Sequence, residues 1–144
     1  MPVSDGDDDI EDRAWLTRLD GRGWVHAGLA EVSKVADSRD PRAIVAGCKR
    51  AAGMALNGYL LVAYDPAWGR SYVEHLRAAA LDPRLPEAVR SRAKLIVEAK
   101  PPQAVLVQLR TRRDTDDLLE ATKDLIAWVF AEITHPRSPP HEGP

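Results

Sequence analysis

Between Arg42 and Asp65 the chain runs without a proline, and its apolar residues repeat with a helical period. Asp40 is a good N-cap for such a helix, and Pro41 suits its first position, where a missing N–H costs nothing. One stripe reads Ile44, Cys48, Ala51, Ala55, Tyr59 and Val62, with Gly47 and Gly58 beside it. Residues this small let a neighbouring backbone come close. The opposite face begins with Arg42, Lys49 and Arg50 and ends with Leu60, Leu61 and Tyr64. A helix that is amphipathic at its start and apolar all round at its end is one that enters a core. The fold to expect around it is a helical bundle.

The flanking segments agree. A short first helix is expected from about Ile10 to Leu19, ended by Asp20-Gly21, with acidic residues at its positive end. A second, from about Trp24 to Ala36, carries Val25, Gly28, Leu29, Val32, Val35 and Ala36 on one face. A fourth is expected from Arg70 to Leu81, and a fifth from Pro86 with Val89, Ala93 and Ile96 inward. The last is expected to be capped by Thr115, with Leu118, Thr122, Leu125, Val129 and Ile133 repeating along it and Leu119, Ile126 and Phe130 widening its face. Residues Ala104 to Leu109 have strand composition but no partner strand, so extended packing or a helical turn is expected, and the conformation of 101–113 stays open. The organisation predicted is an acidic tail over residues 1–9, one helical domain over 10–134, and a disordered tail over 135–144 with four prolines. The fold class predicted is all-α, an antiparallel bundle of five to six helices.

At 144 residues the chain is long enough for one buried core. No apolar run reaches the roughly 20 residues of a bilayer-spanning helix, so no membrane association is expected. An acidic N-terminus lacks the pattern of a secretory signal, and one cysteine, Cys48, allows no internal disulfide; a cytoplasmic location is expected. Between Arg70 and Arg113, ten basic side chains face four acidic ones. That excess fits an anionic partner, and it equally fits solvated helix faces.

No metal site or cofactor is expected: there is no phosphate-cradling glycine loop, no His-Glu-x-x-His and no Cys-x-x-Cys. Asp5, Asp7 and Asp9 have the opening spacing of a calcium loop, but Ile10 and Leu16 stand where glycine and glutamate belong. Cys48, on the apolar stripe, reads as a packed thiol. His26, His135 and His141 read as structural or surface residues. Arg70 and His75 are the candidate catalytic pair, one to hold a phosphodiester and one to move a proton. Five residues apart on a helix they would not share a face, unless Arg70 precedes the helix. The competing reading of this segment is a solvent-facing row of Arg70, Glu74 and Arg77. Candidate ligand-binding residues are Arg50, Asn57 and Ser71. Asn57 also reads simply as a buried amide satisfied within the fold.

The middle of the chain, about Val25 to Ala99, resembles a HEPN-like domain, a family of small helical bundles found mostly in prokaryotes. The resemblance lies in a long alanine-rich helix with basic residues near its middle (Lys49-Arg50-Ala51-Ala52-Gly53-Met54-Ala55-Leu56). A loop then leads to a polar helix start (Gly69-Arg70-Ser71, then His75-Leu76), and Leu85-Pro86 opens the next helix. The family implies a homodimer. It also implies either a binding module that takes nucleotide or RNA or partners a nucleotidyltransferase, or a metal-independent endoribonuclease with an R-x4-6-H motif, matched here by Arg70 and His75. Ser71 stands where catalytic members carry Asn, Asp or His, which favours the module over the ribonuclease. A purely structural bundle is the third expectation.

Overall fold

The computed structural model describes residues 13–101 and 108–135, with side chains in the last helix from 112 onward. Among the described residues six α-helices follow one another: α1 (Ala14–Thr17), α2 (Gly21–Ala36), α3 (Pro41–Val62), α4 (Tyr72–Leu81), α5 (Glu87–Glu98) and α6 (Gln108–Thr134). A 3₁₀ turn, Pro66–Trp68, lies between α3 and α4, and no strand occurs among the described residues. The architecture is an all-α bundle. No described helix is long and apolar enough to cross a membrane.

Helix α3 packs against every other helix, as its apolar end requires. Its N-terminus is built as expected, with the Asp40 carboxylate accepting the Arg42 N–H at 3.0 Å and Pro41 in the first turn. The small residues are what admit its neighbours. A Cβ on Gly47 would lie 2.6 Å from Val35 Cγ1, and one on Gly28 of α2 would lie 2.7 Å from the Ala51 carbonyl oxygen of α3. Around this contact the core gathers Leu56, Leu60, Leu76, Ile96, Leu125 and Val129. Cys48 is fully buried within it, and burial pushes its thiol pKa up, partly offset by a hydrogen bond with Thr122.

Several boundaries differ from those expected. Asp20 does not merely end α1; its carboxylate accepts the Gly23 N–H at 2.6 Å and caps α2, which therefore starts at Gly21 instead of Trp24. Helix α6 begins at Gln108, so Thr115 is not a cap. It sits inside the helix, where its hydroxyl donates to the Arg112 carbonyl at 3.0 Å. Of the ambiguous stretch, Gln108 and Leu109 are helical, and 104–107 lie outside the described residues. So do the acidic segment 1–9, the expected start of the first helix at Ile10, and the tail from 136. Phe130 and Leu29, expected on inward faces, are 42% and 40% exposed, on either side of a groove between α2 and α6.

One polar clamp holds the loops at the α4 end. Arg84 reaches Asp82 and Asp65, each at 2.6 Å, while the Asp82 carboxylate also accepts the Trp68 indole N–H at 3.3 Å. The Arg84 guanidinium is the main reason the Asp82 pKa falls to about 2. The clamp ties the end of α3 to the turn that follows α4, which fixes both ends of the segment carrying residues 69–75.

Candidate functional site

That segment turns on Gly69. Its φ of +76° is the one positive value among the described residues, and a Cβ there would also collide with the Glu74 side chain. The turn delivers Ser71 as the N-cap of α4. The Ser71 hydroxyl accepts the Glu74 N–H at 3.1 Å, and the Glu74 carboxylate accepts the Ser71 N–H at 3.4 Å, a reciprocal capping box. These bonds draw the Glu74 pKa below its usual value. Arg70 therefore lies before the helix proper.

Helix α4 seats on α3 through Gly53, where any Cβ would run into the Cβ and ring of Tyr72. On the other side α1 carries Trp15, whose ring stacks on His75 with centroids 5.6 Å apart. Leu16 beside it offers its carbonyl to the Trp24 indole N–H at 2.8 Å, anchoring α1 to α2. The Arg18 guanidinium lies 5.4 Å from the centre of the Trp24 ring. Between these elements is a cleft of about 310 Å³ lined by Trp15, Arg18, Trp24, Asn57, Arg70, Ser71 and Tyr72.

Three of the five residues singled out from the sequence thus meet in one place: Asn57, Arg70 and Ser71. Arg50 does not join them. It lies on the side of α3 facing α2, paired with Glu31 at 2.7 Å. His75 does not line the cleft either. Its ring is 0% exposed behind Trp15, with Nε2 at 3.1 Å from the Gly69 carbonyl. A carbonyl only accepts, so Nε2 carries the hydrogen and Nδ1 is a bare acceptor. Burial depresses the pKa of the ring and favours this neutral form. His75 thus lies outside the cleft that Arg70 lines, and the two residues of the R-x4-H spacing do not meet there.

Asn57 departs from the reading of a satisfied amide. It is 2% exposed, and its Oδ1 has no hydrogen-bond partner among the described residues. The indole Nε1 of Trp15 is unpartnered in the same sense. Buried polar groups are nearly always paired, and two residues that line this cleft, Asn57 and Trp15, each carry a buried atom with no hydrogen-bond partner among the described residues. Trp15, Arg18, Trp24 and Tyr72 were not expected at a site. Trp15 and Arg18 stand three apart, the spacing of one helix face, and that was the available signal. Among the described residues, no three His, Cys, Asp or Glu side chains gather as a metal site would require.

The fold and cleft define an all-α bundle with a small, cationic, aromatic-lined recess. No protein-family model, curated protein or solved structure matches the chain.

Proposed function

We propose that the protein is a binding module, HEPN-like in its layout, that takes a small phosphate-bearing ligand of nucleotide size in the α1–α4 cleft. The observation that carries this reading is the pairing of two arginines, Arg18 and Arg70, with aromatic side chains and the unpartnered Asn57 in one recess. Guanidinium groups suit phosphate oxygens, and aromatic faces suit a planar base. A volume near 310 Å³ is at the small end of ligand pockets, which run from about 300 to 1,000 Å³. That favours a mononucleotide over a polymer. The burial of His75 weighs against the ribonuclease alternative.

The reading retains a cytoplasmic homodimer, supported by the exposed Leu29 and Phe130 flanking one groove. A nucleotidyltransferase remains the protein partner that the HEPN resemblance suggests. The test is a thermal-shift and calorimetric titration with nucleoside mono-, di- and triphosphates, repeated on Arg18→Ala and Arg70→Ala. Ligand at about 100 times its Kd should stabilise the fold by about 2.7 kcal/mol, and either alanine should weaken binding. A chain that no nucleotide stabilises at millimolar concentration is a structural bundle, and the proposal falls. Sedimentation equilibrium tests the dimer separately.

A further inference from the structure

Helix α1 is the lightest piece of the bundle. It has four residues, of which Leu16 alone is buried, and no side-chain cap at its start. So short a helix has no stability of its own, and tertiary contacts decide where it sits. The Leu16 carbonyl accepts the Trp24 indole N–H at 2.8 Å, and the Trp15 ring lies 27° from parallel with that of His75, centroids 5.6 Å apart. His75 is the one buried histidine among the described residues; His26 and His135 are exposed. Its Nε2–H donates to the Gly69 carbonyl, and its Nδ1 is buried without a partner. The charge that acts on the ring is that of Glu74, its neighbour on α4. Cations on the surrounding elements are engaged elsewhere: Arg13 lies over the Tyr64 ring at 3.7 Å, Arg18 is beside Trp24, Arg50 of α3 pairs with Glu31, and Arg92 of α5 pairs with Asp124.

We infer that the Trp15–His75 stack is a pH-sensitive latch: a proton on His75 Nδ1 releases α1 from the bundle, and the cleft loses the wall that Trp15 and Arg18 supply. The second proton makes Nδ1–H a buried donor with no acceptor, on a ring that now carries a buried charge. Relief requires water at the ring, and of the elements that cover it α1 has the least packing to lose. An indole face attracts an imidazolium, which opposes release. Desolvation is the larger effect, since burial depresses the His75 pKa in spite of the Gly69 carbonyl and the negative Glu74 beside it. Above neutrality the ring is uncharged and the stack holds.

The test is amide hydrogen exchange by NMR on the full chain between about pH 5 and 8, each rate divided by its intrinsic value to give the opening of that amide. Leu16 and Thr17, whose N–H groups donate to the Arg13 carbonyl at 2.9 Å, report on α1. Their opening should exceed that of α3 and α6 amides at every pH and rise up to about tenfold per pH unit below 6.5. His75→Gln keeps a side-chain N–H for the Gly69 carbonyl and cannot titrate, so the rise should vanish in it. Opening of α1 that does not change with pH overturns the latch, as does opening that occurs only together with α3 and α6. An undiminished rise in His75→Gln overturns it too. Should that variant not fold, the ring resonances of His75 in the parent decide: they should titrate over the same pH range in which α1 opens, and a ring that titrates while α1 stays protected refutes the inference. The readout needs no ligand, so it stands whether or not the cleft takes a phosphate.

Discussion

Gly53 offers the sharpest test of how the cleft is built. Replacing it with alanine in the middle of a helix normally stabilises by up to about 1 kcal/mol, because alanine loses less backbone freedom. Here the added methyl would lie 2.6 Å from Tyr72 Cδ1 and closer still to Tyr72 Cβ and Cγ. A rotamer change can swing the ring away, but it cannot move Tyr72 Cβ, which is fixed by the first residue of α4. The N-terminus of α4 must therefore shift, at the roughly 1–3 kcal/mol typical of overpacking. The net expectation for Gly53→Ala is a loss of about 1–2 kcal/mol, or a fall in Tm of roughly 3–6 °C for a chain of this size. Urea unfolding followed by helical circular dichroism gives the midpoint, and an unchanged m-value would place the loss in stability and not in compactness. Gly28→Ala is the comparison, since its methyl would meet the Ala51 carbonyl at 2.7 Å between α2 and α3, away from the cleft lining. Both variants should lose stability, but only Gly53→Ala should also weaken ligand binding. A midpoint equal to or above that of the parent for Gly53→Ala refutes the reasoning, because propensity would then have outweighed the contact.

Ser71→Ala should cost about 1 kcal/mol of stability by removing the hydroxyl half of the α4 capping box, read as a lower urea midpoint. For His75 the folded pKa lies below its ordinary 6.5, so the unfolded chain takes up the proton first as pH falls. Stability should therefore be full above about pH 6.5 and decline below it; His75→Gln should flatten that decline, and an identical pH profile in the variant would exclude His75 as its source. Asp82 behaves in the acid range: with a folded pKa of about 2 against 3.8, its contribution is present above pH 4 and lost as pH falls toward 2. That shift corresponds to roughly 2.5 kcal/mol before screening, and because Arg84 is 66% exposed, about 1 kcal/mol is expected from Asp82→Asn at neutral pH. Cys48 should resist a thiol reagent in the folded protein and react at the rate of unfolding, and rapid native labelling would contradict its burial.

The bundle was legible because its evidence is periodic. The stripe is buried through Ile44, Cys48, Ala51 and Ala55, half-buried at Tyr59 and 53% exposed at Val62, where the helix ends, while Leu118, Thr122, Leu125 and Val129 are buried as their spacing requires. Boundaries were harder, because the same residue can end one helix and cap the next. Asp20 followed by glycine reads as a stop, yet its carboxylate starts α2. Thr115 followed by two aspartates reads as a cap, yet it lies within α6. The cleft was half legible. The meeting of α3 with the start of α4 was visible in Asn57, Arg70 and Ser71, but α1 contributes Trp15 and Arg18 across a tertiary contact that no local pattern announces. Ser71-x-x-Glu74 is a capping signature, and it accounts for Ser71 without a ligand. The R-x4-H spacing says nothing about depth, and here the histidine is buried against the Gly69 carbonyl while the arginine is exposed.

Asn57 connects stability with function. A buried acceptor left unpaired costs about 1–3 kcal/mol, and at the middle of a core helix a leucine of similar size would carry no such penalty. If Asn57 were kept for the fold alone, its amide would have to stabilise the chain, and Asn57→Leu would lower the urea midpoint. If it is kept for a ligand, the substitution should raise the midpoint, by up to roughly 1–2 kcal/mol, in the free protein. The same variant should then be the one that gains least when nucleotide is added. Opposite signs in the free and ligand-saturated protein are the signature of a residue that costs the fold and serves the site. A midpoint that falls in both states would return Asn57 to the core as an ordinary structural amide.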